Sequence, residues 1–143
     1  MFERILVCLD GSSLAEQILP YATEVAQRFA SRMILLQVIP PSSVLGGGDT
    51  TLELELFGPA KAYLERIAQP LREVGLDVEC ATLLEPPGQA IISYANKSGV
   101  GLIAIATHGR GGLGRVMFGS VADFVLRESR LPVLMVRPQD TKA

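Results

Sequence analysis

The sequence predicts an α/β protein with an open five-stranded parallel sheet and helices on both faces, a Rossmann-like arrangement. Five apolar runs alternate along the chain with four segments of helical periodicity, which is the pattern of repeated strand–helix units. Several of these runs are continuous, as is typical of strands buried on both faces. The chain has 143 residues, of which 48% are hydrophobic and 20% charged. It can therefore bury a sizeable core, and we expect a single domain over residues 1–143.

The first strand–helix unit is predicted from a continuous apolar run over residues 5–9, which stops at a polar turn. Ser12 or Ser13 can cap the helix that follows this turn. The helix itself is indicated by apolar residues at helical spacing over 14–29. Pro20 lies inside this pattern. Because an interior proline costs about 3 kcal/mol unless the helix kinks, we expect a bend there.

The middle of the chain carries a second strand over residues 33–39, which stops at two prolines. A surface loop with three consecutive glycines is predicted over 42–51. Helical spacing then predicts a second helix over 60–74, and Gly75 is placed to end it. A third strand follows over 76–84, and its partial alternation of apolar and polar residues favours a position near a sheet edge.

The last third of the chain begins with Pro86 and Pro87, which open a third helix that Gly99 closes. A fourth strand over 100–106 precedes a glycine-rich segment, a fourth helix and a fifth strand over 131–136. The fifth strand is apolar and comes last, so at a sheet edge it would expose unpaired backbone groups. We therefore expect a homodimer that pairs this strand with its copy.

Composition excludes several classes of function. The net charge of −2 argues against general affinity for nucleic acid. The apolar runs are far shorter than the roughly 18–20 residues that span a bilayer, and the chain enters a strand almost at once, without a signal peptide. Cys8 and Cys80 lie in apolar runs and are expected to be buried, reduced thiols rather than a disulfide framework. We expect a cytoplasmic protein that does not act at a membrane.

The most informative segment is the glycine-rich stretch 106–120, which follows a buried strand and ends where a helix begins. Glycines let the backbone approach an anion closely. The first amides of a helix lack internal partners and point toward whatever precedes them. Arg110 and Arg115 lie in this stretch, and no acidic residue occurs between Ala106 and Ala122. The pattern indicates a site for a small phosphate-bearing ligand.

Other phosphate and nucleophile motifs do not account for this segment. Residues 109–114 match the spacing G-x-G-x-x-G, but only one helix and one strand remain after them, so a second nucleotide-binding half is absent. A Walker P-loop needs a Gly-Lys pair, which the chain lacks. The nucleophile elbow G-x-S-x-G is also absent.

The predicted topology brings three positions to one edge of the sheet. Asp10 follows the first strand, Val38 and Ile39 end the second, and the glycine-rich segment follows the fourth. Because ligands of open α/β sheets bind at the carboxyl ends of the strands, beside the switch in strand order, these positions should converge on one crevice.

With these residues in view, the chain resembles the universal stress proteins, and the resemblance covers essentially its whole length. The family pattern after the fourth strand is G-x-x-G, nine residues, then G-[S/T]. Here it reads Ala106-x-x-Gly109, residues 110–118, then Gly119-Ser120, with alanine in place of the first glycine. The opening ILVCLDGS, the LLQV of the second strand and the closing LPVLMV also match. The resemblance implies an adenine nucleotide alpha hydrolase-like version of the fold.

The resemblance also implies the ligand, an adenine nucleotide that is usually ATP, and the site residues. Asp10 would accept hydrogen bonds from the ribose hydroxyls, and Val38 would hold the adenine edge through its backbone N–H and C=O. Backbone amides of the loop and of the last helix would hold the phosphates, with Mg²⁺ riding on them. The positions at the phosphate end are Ala106, Gly109, Arg110, Gly119, Ser120 and Val121.

Each of these residues also has a structural interpretation. Asp10 can be a helix-entry cap, and Ser120 can be an N-cap with or without phosphate contact. Arg110 and Arg115 can pair with phosphate or remain solvated loop charges. His108, the only histidine, can serve as a base or simply shape the glycine turn.

The sequence therefore supports a nucleotide-dependent stress-response regulator, with no catalytic residue identified. Slow ATP hydrolysis or autophosphorylation is the most activity we expect, because phosphoryl transfer needs positioning and charge stabilisation. The alternative from a different class is a dimeric interaction module of the same fold that binds no nucleotide. Within the first class, AMP or a cyclic nucleotide could replace ATP.

Overall fold

The structure is a computed structural model and describes residues 1–43, 50–107 and 119–139. Its core is one sheet of five strands in the order β3-β2-β1-β4-β5, with every pairing parallel. The predicted fold class is confirmed. The strands are β1 (Arg4–Leu9), β2 (Arg32–Ile39), β3 (Asp77–Leu84), β4 (Leu102–Ala106) and β5 (Val133–Val136).

Helices cover both faces of the sheet. The α-helices are α1 (Leu19–Phe29), α2 (Thr50–Glu73), α3 (Pro87–Lys97) and α4 (Ser120–Glu128). Short 3₁₀ turns occupy Ala15–Ile18 and Pro41–Ser43. None of the described helices is long and apolar enough to cross a membrane.

Alternate residues of the central strands pack into two separate hydrophobic cores, because successive side chains of a strand point to opposite faces of the sheet. On β1, Ile5, Val7 and Leu9 pack beneath α1 and α2, with Leu64 and Ala68 of α2. We call this side the α1/α2 face. Leu6 and Cys8 point the other way, into a cluster that includes residues of α3 and α4, and that side is the α3/α4 face.

The topology places a switch point at the middle of the sheet. From β1 the chain moves outward to β2 and β3, then crosses back to β4 and outward again to β5. The connection that follows β1 and the connection that follows β4 therefore run in opposite directions. They leave a crevice between them at the carboxyl ends of these two strands. As expected from its alternation, β3 lies at one edge, and β5 lies at the other.

The first helix differs from the prediction. A 3₁₀ turn precedes α1, so that Pro20 lies in the first turn of the α-helix rather than in its interior. An N–H in that turn has no intrahelical partner, and proline is tolerated there without a kink in the helix. The expected break in the helical pattern therefore comes before Pro20.

The second helix is longer than the sequence indicated. It begins at Thr50, ten residues before the predicted start, so residues 50 and 51 of the predicted loop are helical, whereas 44–49 lie outside the described residues. Leucine and glutamate, which dominate residues 52–56, are strong helix formers. Pro59 and Pro70 both lie within the helix. Burial of Ala60, Leu64 and Ala68 against the sheet outweighs the proline penalties.

Glycines end two elements as predicted. Gly75 after α2 and Gly99 after α3 have φ angles of 94° and 66°, a left-handed conformation that glycine adopts at no steric cost.

Candidate functional site

A cavity of about 670 Å³ opens at the carboxyl ends of β1, β2 and β4, and we call it the strand-end cavity. Six predicted site residues line it together: Asp10, Val38, Ala106, Gly119, Ser120 and Val121. The predicted convergence on one crevice is thus seen for the parts of the chain that the structure describes. Gly109 and Arg110, with His108 and Arg115, lie outside those parts.

Asp10 leaves the end of β1 and shapes the turn into the first helical segment. Its Oδ1 accepts the amide of Ser12 at 2.9 Å, and the hydroxyl of Ser12 accepts the amide of Ala15 at 3.1 Å. Gly11 between them has a φ of 88°, which suits glycine in a tight turn. The helix-entry role of Asp10 is therefore present, and the same side chain borders the cavity.

Val38 brings backbone polar groups to the cavity. The carbonyl of Ile39 faces β3, because it accepts the amide of Glu85 at 3.1 Å. Backbone groups alternate sides along a parallel strand, so the carbonyl of Val38 faces β1. The pairing of β1 with β2 ends one residue earlier, at Leu9 opposite Gln37. The Val38 carbonyl thus lies beyond the end of that ladder, at the border of the cavity.

The N-terminus of α4 forms the opposite side of the cavity. Gly119 is the N-cap and Ser120 the first helical residue, so the interpretation of Ser120 as an N-cap is wrong. The amide of Gly119 donates to the carbonyl of Thr107, and the first intrahelical bond joins the amide of Asp123 to the Gly119 carbonyl at 2.9 Å. The amides that precede this bond belong to Ser120, Val121 and Ala122, and all three residues line the cavity.

The predicted phosphate contact of the Gly119 amide has a competing partner, because this amide donates to the carbonyl of Thr107. Ala122 was not predicted as a site residue, although its place three residues into the helix is a sequence signal for a first-turn amide.

The wall on the α1/α2 face was missed by the sequence analysis. It includes Pro59, Ala60 and Tyr63 of α2 and Gln37 of β2. From the sequence, Ala60 and Tyr63 are predicted only as part of the second helix, and Gln37 falls inside the second predicted strand. The one available signal was the amide side chain of Gln37, a polar residue in an otherwise apolar run.

Tyr63 is fixed at this wall by a contact between distant parts of the chain. Its hydroxyl donates to the carboxylate of Glu16 at 2.7 Å. Burial raises the pKa of the Tyr63 phenol, and the carboxylates of Glu16 and Asp10 raise it further. Tyr63 is therefore protonated at neutral pH, and its ring is held in place over the side of the cavity.

Cys8 lies at the floor of the cavity on the α3/α4 face. Burial raises its pKa from 9.0 to about 12, so the thiol stays protonated and is a poor nucleophile. Cys80 is half-buried rather than buried as predicted, and burial raises its pKa to about 11. Both cysteines are free. Within residues 1–43, 50–107 and 119–139, no cluster of three or more His, Cys, Asp or Glu could hold a metal ion.

The geometry suits an elongated ligand with an anionic end. Helix amides on α4 favour negative charge, whereas the Asp10 carboxylate and the Val38 carbonyl, across the switch point, can accept hydrogen bonds. Apolar side chains such as Ile91 and Ala60 fill the walls between them. The cavity volume falls within the usual range for small-molecule sites.

Solved structures share this architecture. The structure of MJ0577 from Methanocaldococcus jannaschii superposes with a TM-score of 0.88 at 30% identity and covers 99% of both chains. A universal stress protein from Archaeoglobus fulgidus in complex with dAMP has the same fold, with a TM-score of 0.70 at 21% identity over 96% of this chain and 98% of that one.

Sequence comparison agrees with the fold. A universal stress protein of Thermus aquaticus is 32% identical over 142 residues, which cover 96% of this chain and the whole of that relative. Residues 1–137 match the sequence profile of the universal stress protein family. The chain therefore belongs to the universal stress protein family.

Proposed function

We propose that this chain binds ATP in the strand-end cavity and acts as a nucleotide-dependent regulator in a stress response. One observation carries the proposal. Hydrogen-bond acceptors at the ends of β1 and β2 border the same cavity as the first-turn amides of α4. A nucleotide presents the complementary groups in the same order, with donors on the base and ribose and negative charge on the phosphates. The dAMP complex of the relative with this fold adds support.

In this proposal the phosphates lie at the amides of Ser120 and Val121, close to Ala106 at the end of β4. Asp10 accepts from the ribose, and the Val38 carbonyl accepts from the amino group of adenine. Mg²⁺ would be held chiefly by the phosphates of the nucleotide, since this ion usually keeps several waters and uses substrate phosphates. By resemblance to the family pattern, Gly109 and Arg110 are proposed to contact the phosphates as well.

We propose little or no catalytic turnover. The ionisable side chains that line the cavity within the described residues are Cys8, Asp10 and Tyr63. Two of these are held protonated, and Asp10 already accepts the Ser12 amide. Slow hydrolysis or autophosphorylation is the expected upper limit, since positioning and charge alone can support weak phosphoryl transfer.

The second candidate function is a homodimeric interaction module that uses no nucleotide. It is favoured by β5, an edge strand of four half-buried residues whose outer side has no strand partner in the described chain. Dimerisation through β5 is compatible with both candidates. We place the protein in the cytoplasm, where two free thiols are stable.

The deciding experiment identifies what the purified protein carries and what it binds. The protein is prepared without added nucleotide and denatured, and the released small molecules are identified by mass spectrometry. Stoichiometric ATP supports the proposal, whereas AMP or a cyclic nucleotide would replace ATP as the ligand. A protein that is empty and shows no saturable binding of Mg-ATP below millimolar concentration favours the interaction module.

A substitution at the N-cap tests the location of the site. Gly119→Val places a branched side chain at the phosphate end and should abolish ATP binding while leaving the helix content unchanged. The matched control is Ser129→Val at the other end of α4, where the backbone is extended and suits a branched residue. Equal ATP affinity in both variants would contradict the site.

A further inference from the structure

Gln37 carries the clearest unexplained polar group in the described structure. Its side-chain Oε1 is buried and has no hydrogen-bond partner. A buried acceptor without a donor is destabilising, and such groups are rare in native proteins unless they serve a function. The part of the chain that the structure describes shows no other buried side-chain N or O atom in this condition.

The position of Gln37 connects this group to the strand-end cavity. Along β2, Met33 and Leu35 point into the core beneath α1 and α2, and Gln37 is the next residue on that side. It borders the cavity together with Tyr63 and Ala60 of α2. A polar side chain thus takes the last position of an apolar row, where the row reaches the cavity.

Asp10 lies beside Gln37. The strand register pairs Gln37 with Leu9, the residue directly before Asp10, and neighbouring strands are about 4.8 Å apart. Asp10 and Gln37 both line the cavity and belong to the ends of hydrogen-bonded neighbouring strands. The carboxylate and the amide oxygen are therefore two acceptors on the β1–β2 side of the cavity.

We propose that Gln37 and Asp10 together read the vicinal diol of a ribose, so that the site selects nucleotides with free 2′ and 3′ hydroxyls. A ribose offers two adjacent donors, one for each acceptor. The terminal torsion of glutamine is broad, so Oε1 can turn toward a donor in the cavity. The inference rests on the proposed nucleotide binding and makes Gln37 a specificity-determining residue.

This assignment distinguishes among adenine nucleotides that the phosphate end alone would accept. A 2′-deoxy or 3′-deoxy nucleotide leaves one acceptor unsatisfied, and a 3′,5′-cyclic nucleotide lacks the free 3′ hydroxyl. Loss of one hydrogen bond of this kind corresponds to about tenfold in affinity.

Calorimetric titration of ATP, 2′-deoxy-ATP and 3′-deoxy-ATP tests the proposal. The wild-type chain should prefer ATP over each deoxy nucleotide by about tenfold. Gln37→Met, which keeps the length and apolar stem of the side chain but removes the amide, should bind ATP about tenfold more weakly. This variant should no longer prefer ATP over one of the two deoxy nucleotides. It should still prefer ATP over the other, because Asp10 supplies that preference.

A second readout concerns the ligand-free protein. Because Gln37→Met removes a buried acceptor that has no donor, its urea midpoint without nucleotide should be higher than that of the wild type. The matched control is Thr82→Val on β3, which pairs with Gln37 in the sheet but does not line the cavity. This variant should leave both hydroxyl preferences unchanged.

The outcomes separate the inference from the proposed function. Wild-type chain that binds no ATP overturns both. Wild-type chain that binds ATP and both deoxy nucleotides equally overturns the diol assignment alone, and this test needs no variant to fold. Weaker ATP binding by Gln37→Met with both preferences intact would show a packing role and would also overturn it.

Discussion

At the scale of single residues, the cavity combines groups whose protonation is fixed by their surroundings. Cys8 is buried in the sheet, and removal from water disfavours the thiolate. Tyr63 is half-buried and donates to a carboxylate, which disfavours the phenolate for two reasons. Neither group changes charge at physiological pH, so ligand binding in the cavity should depend little on the ionisation of these two residues.

The Cys8 thiol makes the free energy of unfolding depend on pH in the alkaline range. Its pKa is raised from 9.0 to about 12 in the folded chain, so its contribution is complete below pH 9 and is lost as the pH rises toward 12. One group can change the free energy of unfolding by at most about 1.4 kcal/mol per pH unit. We predict that Cys8→Ala loses less stability than the wild type between pH 9 and 12, as measured by urea denaturation.

Cys80 provides the comparison for this measurement. It is half-buried and its pKa is raised less, to about 11. Cys80→Ala should therefore reduce the loss of stability at alkaline pH by less than Cys8→Ala does. If the two variants and the wild type lose stability in parallel, the buried thiol of Cys8 is not a cause of the alkaline loss.

At the scale of elements, the helices differ in how they meet their neighbours. Helix α2 packs small residues such as Ala60 and Ala68 against the sheet, which brings its backbone close and lets it border the cavity. Helices α3 and α4 pack against each other where Gly88, in the first turn of α3, faces the ring of Phe124 on α4. This second contact sets the position of α4 and therefore of its N-terminal amides.

Gly88 is predicted to be required for the α3–α4 contact. A Cβ at this position would lie 2.5 Å from Cδ1 and 2.9 Å from Cγ of Phe124, so the ring must move. Gly88→Ala should lower the free energy of unfolding by about 1–3 kcal/mol, the usual cost of overpacking. Thermal and urea denaturation would measure the loss.

A double-mutant cycle tests the cause of that loss. Phe124→Ala removes the Cγ and Cδ1 atoms that a Cβ would meet, so Gly88→Ala should cost much less in the Phe124→Ala background. Gly58→Ala on α2, where a Cβ meets nothing within 4 Å, is the control for adding a methyl group to a helix. An equal cost of Gly88→Ala in both backgrounds would contradict the packing explanation.

At the scale of the whole molecule, the sheet ends in two unequal edges. The β3 edge carries charged residues, with Asp77 and Glu79 both near Arg32. The β5 edge consists of four apolar residues. Charged side chains protect an edge from pairing with another strand, whereas an apolar edge favours such pairing. The homodimer is therefore expected at β5.

A proline on β5 can test this without breaking the sheet. The carbonyls of Pro132 and Val136 accept amides of the β4 side, so the backbone of Val133 faces outward by alternation. Val133→Pro removes an outward amide at the first residue of the strand, where proline is tolerated. We predict that this variant is a folded monomer at concentrations where the wild type is a dimer, by light scattering after size exclusion.

The other edge supplies the matched control. The Glu85 amide donates to β2, so the amide of Thr82 faces outward from β3 by the same alternation. Thr82→Pro should leave the dimer intact. A wild-type chain that is already monomeric at micromolar concentration would rule out a stable β5 dimer.

The strand–helix order, the parallel sheet and six of the residues that line the cavity could be predicted from the sequence. Buried strands can be recognised in the sequence as continuous apolar runs. The turn at Asp10 and the cap at Gly119 are indicated by local signals within a few residues. Local signals also located the carboxyl ends of β1, β2 and β4, because β1 stops at a polar turn, β2 at two prolines and β4 at the glycine-rich segment. Topology rules predicted that Asp10, Val38 and the segment that begins at Ala106 converge on one crevice.

Only the tertiary structure decided which groups have partners. Whether the Gly119 amide meets the Thr107 carbonyl, or Gln37 lacks a donor, depends on residues far apart in sequence. The retention of Pro59 and Pro70 within α2 likewise depends on burial of this helix against the sheet, which outweighs the local cost of proline. The contact between Tyr63 and Glu16 joins residues 47 positions apart. Hydrogen-bond partners are a property of the folded chain, because distance in space sets them and distance in sequence does not.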